Sequence, residues 1–319
     1  MSKLVTIFGG SGFVGRNTVR ALAKAGYRIR VATRYPNLAQ FLPPMGVVGQ
    51  IQLFKCDITD EAQVAAAVSH ADAVVNLVGL LAPAGGHGFE EIHVEAAEAV
   101  AKAARAAGAR SFVQVSALGA DTESTSSYAR TKAEGEARVR AAFPDATILR
   151  PSIVFGPEDA FFNRFAGLAR MLPALPLIGG GKTKFQPVFV GDVAAAIRVA
   201  LDDVSTRGKL YELAGPTTYT FKDLMQFVLE TTGRSRALVP VPFFIATIKG
   251  AFLGILPKPL LTMDQVRLLK TDNVAAEGSL GLSDLGIQPD SIEAIVPSYL
   301  WRFRSKGQYE GLSAASESR

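Results

Sequence analysis

Gly9-Gly10-Ser11-Gly12-Phe13-Val14-Gly15 sets glycines at three-residue spacing, a pattern that suits the binding of a dinucleotide phosphate. Gly9 permits a tight turn, Gly12 lets the backbone approach a pyrophosphate, and Gly15 lets a helix pack close to a sheet. A helix opening at Phe13 turns unpaired N–H groups and its positive dipole end toward the phosphates. Gly9, Ser11, Gly12, Phe13, Val14, Gly15 and Arg16 are therefore candidates for cofactor contact.

Charge selects the nucleotide. An NAD(H) site wants an acid about twenty residues beyond the glycines, where it accepts hydrogen bonds from the ribose 2′-hydroxyl. This chain has no Asp or Glu before Asp57, and Ala32-Thr33-Arg34 stands where the acid would be. Arg34 can clamp a 2′-phosphate in a bidentate manner, with Arg16 as a second cation. The expected ligand is NADPH or NADP⁺. Asp57 and Ile58 follow the third strand, where an adenine edge would lie, and Asp57 is equally suited to cap the next helix. Leu77, Val78 and Gly79 end the fourth strand beside the pyrophosphate and ribose.

A second set of residues could move a proton. Tyr128 and Lys132 lie four apart, hence on one helix face, and Ser116 ends the preceding strand. A lysine ammonium beneath the Tyr128 hydroxyl would lower its pKa and could bind the nicotinamide ribose. Tyr128 would then act as general acid/base for carbonyl–alcohol interconversion, Ser116 would orient the substrate oxygen, and the cofactor would supply hydride.

Both sets need a scaffold of alternating strands and helices. Strands are expected at Lys3–Phe8, Arg28–Thr33, Ile51–Lys55, Ala73–Leu77, Ser111–Val115 and Thr147–Leu149, with helices at Phe13–Lys24 and Glu90–Ala107. That rhythm is α/β: a Rossmann, doubly wound parallel sheet with a smaller, mostly helical C-terminal lobe. The nucleotide-binding domain is expected over 1–215, with 156–184 contributing to the second lobe, the lobe itself over 216–304, and a disordered tail over 305–319. In the later chain, Phe161–Met171 reads as a helix and Leu172–Leu177 as a proline-broken loop. Phe185–Val190 reads as a strand feeding a helix capped by Asp192. Tyr211–Ala214 reads as a strand, and Thr220 as the cap of a helix Phe221–Thr232.

Composition narrows the class. At 319 residues, 48% hydrophobic and 20% charged, the chain is a folded globular protein. The single cysteine, Cys56, excludes an internal disulfide and fits a reducing compartment. His70, His87 and His93 show no metal-ligand spacing, so no metal site is expected. No basic run interleaves with aromatics, which speaks against nucleic acid. Gly181-Lys182-Thr183 suggests a P-loop, but Pro176 stands where its first glycine belongs. Val239–Leu261 is the most apolar stretch, and its prolines, Lys249 and Gly250 interrupt any twenty-residue span. It is open to three readings: a buried helix, a partner-docking helix, or a helix lying on a bilayer surface.

The glycine turn and the Tyr128/Lys132 pair resemble the short-chain dehydrogenase/reductase superfamily in its extended or atypical branch, over most of residues 1–215. Within it, Val113–Ala120 (VQVSALGA), Ser126–Glu136 (SSYARTKAEGE), Leu149–Asn163 (LRPSIVFGPEDAFFN) and Leu260–Val274 (LLTMDQVRLLKTDNV) resemble the nucleotide-binding accessory subunits of respiratory complex I. The last stretch is the most specific. The resemblance implies tightly held NADPH in a structural role and docking on the hydrophilic arm among complex I subunits. It also implies a peripheral site on the cytoplasmic side of a bacterial inner membrane, or on the matrix side if mitochondrial. The rival expectation is a free-standing NADPH-dependent reductase, epimerase or dehydratase using Tyr128 and Lys132.

Overall fold

The computed structural model describes residues 3–82, 86–247, 263–305 and 307. The chain forms two compact units that interleave along the sequence. One comprises Met1–Pro151, Val190–Leu213 and Ala275–Gln288, and the other Ser152–Phe189, Ala214–Val274 and Pro289–Arg319. Beside the Ser152–Phe189 stretch, which contains the 156–184 expected to join the second lobe, Ala275–Gln288 returns to the first unit.

The first unit is built on a seven-stranded sheet. Its strands are β1 (Leu4–Phe8), β2 (Arg28–Thr33), β3 (Ile51–Lys55), β4 (Ala73–Asn76), β5 (Ser111–Val115), β6 (Thr147–Pro151) and β11 (Leu210–Leu213). They lie in the order β11-β6-β5-β4-β1-β2-β3, all parallel. The order reverses beside β1, which pairs with β2 on one side and β4 on the other. In open α/β sheets such a switch point is where ligands bind. The central strands read as near-continuous apolar runs because both faces are covered: Val5, Ile7, Val74, Val75, Phe112 and Val113 are fully buried.

Helix α1 (Phe13–Lys24) buries Gly15, Thr18, Val19, Leu22 and Ala23, a stripe at three- and four-residue spacing. Ala25 and Gly26 close it, with Gly26 at φ +83°, where a side chain would be strained. Helices α2 (Glu61–Val68), α3 (Ala96–Ala106), α4 (Ser127–Ala142) and α6 (Val190–Asp202) complete the layers. The helix expected over Glu90–Ala107 is not uniform, because its first turn, Glu91–Glu95, is wound as a π-helix.

In the second unit, α5 (Phe162–Met171) and α7 (Phe221–Thr231) enclose a core that includes Phe155, Phe162, Phe185, Phe221 and Met225. A reciprocal capping box of Thr220 and Asp223 opens α7. Three expectations fail here. Leu172–Leu177 is not a loop. Ala174–Ile178 is a strand (β8) paired in parallel with β13 (Ala237–Val241), and a two-stranded ribbon has only edges, where Pro176 and Pro240 are tolerated. Phe185–Val190 is not one strand but two, β9 (Lys184–Phe185) and β10 (Val188–Phe189), interrupted at Pro187. Because α6 begins at Val190, Asp192 lies inside its first turn and is not its cap.

Of Val239–Leu261, the part from 248 onward lies outside the described residues, as does most of 305–319. Among the described residues no helix is long and apolar enough to cross a membrane, and no cluster of His, Cys, Asp and Glu could hold a metal.

Candidate functional site

The glycine turn is a cradle that side chains would fill. Gly9 has φ +77°, and a Cβ there would stand 3.1 Å from the Leu77 carbonyl carbon and the Val78 nitrogen. A Cβ on Gly15 would come within 2.2 Å of the Gly9 carbonyl oxygen. Gly12 occupies the N-cap of α1 without a side chain to offer, so no side-chain cap covers the first-turn N–H groups of the helix. These features fit a dinucleotide phosphate at the switch point between β1 and β4.

Two arginines flank the turn. Arg16 donates from Nε to the Gly12 carbonyl at 3.3 Å and from Nη2 to the Ser11 carbonyl at 3.3 Å, with its guanidinium 4.9 Å from the Phe41 ring centre. Arg34 is exposed at the end of β2, its guanidinium 5.8 Å from the Tyr35 ring centre. Arg30, by contrast, is directed away: its Nη1 donates to the carbonyls of Ala67 and Ser69 at the end of α2, at 2.7 and 2.8 Å. Asp57 does not cap α2, because Asp60 does so by accepting from the Gln63 N–H at 3.0 Å. Asp57 instead accepts from the Thr59 N–H and hydroxyl at 3.1 and 2.9 Å. Burial alone would raise its pKa, but those bonds and the nearby Arg34 charge hold it below the usual carboxylate range. Ile58, beside it, is buried.

At the end of β4, Asn76 is buried and donates to Gln114 Oε1 at 3.0 Å while its Oδ1 accepts the Val78 N–H at 3.1 Å. This fixes Leu77-Val78-Gly79 against the glycine turn. A Cβ on Gly79 would lie 2.9 Å from Lys132 Nζ and 3.7 Å from His93 Nε2, so the fourth-strand end and α4 converge here.

The Ser116/Tyr128/Lys132 set occupies the same end of the first unit. Ser116 Oγ is buried and has no hydrogen-bond partner among the described residues, a costly state that a bound oxygen would relieve. Lys132 is buried. Burial pushes its ammonium down to about 8, against the pull of Glu136 one turn along α4. Glu136, itself buried, is held by both ends of the Arg150 guanidinium at 2.8 Å, and Arg150 also lies 3.8 Å from Glu212. This chain of alternating charges ties α4 to β6 and β11 and keeps a counter-charge near Lys132.

Burial pushes the Tyr128 hydroxyl up to about 12. The ring meets those of Phe89 and His93 edge-on, with centroids at 6.1 and 5.5 Å. The Lys132 charge also acts on His93.

His93 was passed over in the sequence because it lacks metal spacing. It sits in the π turn, is 2% exposed, and stacks on Phe89. Its Nε2 accepts the Leu80 N–H at 3.0 Å, so Nδ1 carries the proton and donates to Thr131 Oγ1 at 3.0 Å; Thr131 in turn donates to the Ser127 carbonyl at 2.8 Å. Burial first, then Lys132, drives its pKa down to about 3 and keeps the ring neutral. One sequence signal was available. Gly135 sits in mid-helix, and its Cβ would stand 1.9 Å from the His93 carbonyl, which marks a close backbone approach.

Residues 5–214 match the model of a family described as "NAD dependent epimerase/dehydratase family". The chain belongs to that family. Nicotinamide dinucleotides are therefore its cofactor class. Among its relatives is the mitochondrial NADH dehydrogenase (ubiquinone) 1 alpha subcomplex subunit 9 of Arabidopsis thaliana, 36% identical, with 98% of this chain and 81% of the relative covered. That likeness places the chain in the alpha subcomplex subunit 9 branch. A ceramide reductase of Caulobacter vibrioides is 33% identical over 75% of this chain and 74% of its own. Among solved structures, an Escherichia coli NADPH-dependent quinone oxidoreductase complexed with NADPH superimposes with a TM-score of 0.73 at 22% identity. The superposition covers 93% of this chain and 99% of that one, and it speaks for the fold. Within the family frame, the glycine turn, Arg16 and Leu77–Gly79 gather around the β1–β4 switch point, and Tyr128 and Lys132 lie with His93.

Proposed function

We propose that the chain is a peripheral accessory subunit of respiratory complex I that holds NADP(H) as a structural ligand. The observation that carries this is the likeness to an alpha subcomplex subunit 9 over 98% of the chain, C-terminal unit included. That kinship supports association with other complex I subunits, for which the hydrophilic arm is the proposed place. It also supports a membrane-peripheral place on the cytoplasmic or matrix side, with Val239–Leu261 as the candidate membrane-surface contact.

NADP(H) is favoured over NAD(H) by an acid-free stretch up to Asp57 and by Arg34 at the end of β2. The backbone of Gly9–Gly15, with Ser11 and Arg16, would hold the pyrophosphate, and Arg34 the 2′-phosphate. Asp57 and Ile58 would border the adenine. Leu77–Gly79, Tyr128 and Lys132 would hold the ribose on the nicotinamide side. When bound, the cofactor supplies a hydride-donating ring. Tyr128 lies against the Phe89 and His93 rings with its hydroxyl neutral, the form that donates a hydrogen bond to a ribose oxygen. Bound ligand stabilises such a fold by mass action.

Mass spectrometry of the ligand released from purified protein is expected to find NADPH or NADP⁺, and NADH alone would overturn the cofactor assignment. Arg34→Asp is expected to weaken NADPH binding by about ten- to a hundredfold while leaving NADH binding unharmed. Tagged chain drawn from gently solubilised membranes should bring down complex I subunits, and a clean preparation without them would sink the subunit reading.

One observation favours the second reading, a free-standing NADPH-dependent reductase, epimerase or dehydratase. The Ser116 hydroxyl at the end of β5 is buried without a hydrogen-bond partner among the described residues, as a substrate-orienting serine awaiting an oxygen would be. Tyr128→Phe separates the two: unchanged assembly together with no lost reductase activity supports the structural role, whereas loss of turnover supports catalysis.

A further inference from the structure

The segment between β2 and β3 turns apolar side chains outward. Tyr35, Leu38, Phe41, Val47 and Val48 are all exposed, Leu38 at 76% and Val47 at 73%. On a slack loop that would carry little meaning, but this segment is fixed from beneath. Ala39 and Leu42 are fully buried, and Pro36 and Pro43 open two short 3-10 turns. Gln50 then anchors the segment's end. Its Nε2 donates to the carbonyls of Ala23 and Tyr27 at 2.7 and 2.9 Å, while its Oε1 accepts the Val47 N–H at 2.9 Å. A preorganised apolar surface spends little entropy on association.

Composition distinguishes the kinds of partner. Residues 34–50 include Arg34, Tyr35, Phe41 and Met45 and contain no Lys, Asp or Glu. Protein interfaces are enriched in Tyr, Phe, Met and Arg and depleted in Lys, Glu and Asp, and their core is the most apolar part. A surface that binds an anionic bilayer draws on clustered lysines and arginines, and this segment holds a single cation. The surrounding chain is nonetheless positive: Arg16, Arg20, Lys24 and Arg28 precede the segment, with no acid before Asp57. Arg16 and Arg34 lie against the Phe41 and Tyr35 rings at 4.9 and 5.8 Å, and this positive border calls for carboxylates opposite it.

We propose that the Tyr35–Val48 face is a docking surface for a protein partner whose apolar contact area is rimmed by carboxylates. The proposal rests on the complex I reading, so the partner is a neighbouring subunit of that complex. Leu38 and Val48, the most exposed of its apolar side chains, anchor the contact, and neither is among the residues assigned to the nucleotide.

The test uses full-length chain carrying Leu38→Ser and Val48→Ser, added to solubilised membranes of the source organism that lack the native chain. Native electrophoresis reports co-migration with complex I, and retained NADPH reports an intact first unit. A photo-cross-linking residue at 38 or 48, with one at exposed Lys102 as control, reports which protein lies opposite. The expected result is co-migration weakened by about tenfold or more, retained NADPH, and cross-links to one complex I subunit from 38 and 48 but not from 102. Undiminished co-migration of the double variant overturns the surface and leaves the complex reading intact. If phosphatidylglycerol vesicles float the unsubstituted chain and the two substitutions abolish it, the surface binds lipid and the proposal is overturned. If the unsubstituted chain never co-migrates, the complex reading falls, and this proposal with it.

Discussion

The glycine turn and the Tyr128–Lys132 cluster belong to the same unit, yet they are made of different materials. The turn is backbone. Its geometry depends on the absence of side chains at Gly9 and Gly15 and on a helix N-terminus, none of which titrates. The cluster is made of buried polar and charged side chains whose states are set by their neighbours: Lys132 depressed to about 8, His93 to about 3, and Tyr128 raised to about 12. A backbone-built site tolerates almost any pH and almost no added volume. A site built from buried charges tolerates neither a missing partner nor acid. Phosphate binding is therefore the sturdier half, and whatever happens around Ser116 is the half more easily lost.

Glu136→Gln should break that contrast most strongly. It leaves Arg150 and Lys132 without their buried counter-charge, and removal of one member of such a pair costs about 3–5 kcal/mol. Chemical denaturation would measure it, and a loss under about 1 kcal/mol would mean water reaches the pair. Gly15→Ala comes next. The 2.2 Å approach to the Gly9 carbonyl forces α1 away from the turn, at about 1–3 kcal/mol of overpacking, with nucleotide affinity falling more than stability. NADPH titration alongside a melting curve separates the two losses, and equal losses would deny the turn its special role.

A third effect is a pH dependence that arises in the cluster. His93 has a folded pKa of about 3 against an ordinary 6.5, so the unfolded chain binds more protons between those values. Stability rises with pH across that window and is lost as pH falls from about 6.5 toward 3. His93→Asn should flatten this slope, as followed by melting temperature against pH, whereas an equal slope in the variant would place the acid sensitivity elsewhere. Lys132 acts in the same direction at higher pH. Its folded pKa of about 8 lies below the ordinary 10.5, so the penalty of burying its charge is relieved as pH rises through that interval.

Much of the first unit was legible in advance because its signals are local. β2, β3, β5 and α1 lie at the residues that periodicity indicated, since an apolar run closed by a glycine or a turn states its own ends. The capping box at Thr220 and Asp223 is local in the same sense. Expectations failed where pairing decided. Prolines argued for a loop at Leu172–Leu177, but a distant strand, Ala237–Val241, converts that stretch into a ribbon edge. Asp57 and Asp60 are both good caps by residue type, and only the backbone path chose between them.

The sequence by itself determined the dinucleotide fold and the positive charge of its first 56 residues. Those follow from glycine spacing, strand–helix alternation and the absence of acids before Asp57, each readable without neighbours in space. Tertiary structure alone decided the state of Tyr128. A Tyr and a Lys four apart promise a lowered hydroxyl pKa, but that spacing says nothing of burial, which pushes the hydroxyl up to about 12. In the fold, a π turn brings His93 inward, α4 closes on it through Gly135, and the lysine charge falls on the imidazole. Burial, a property of the whole packed unit, then sets every pKa in the cluster.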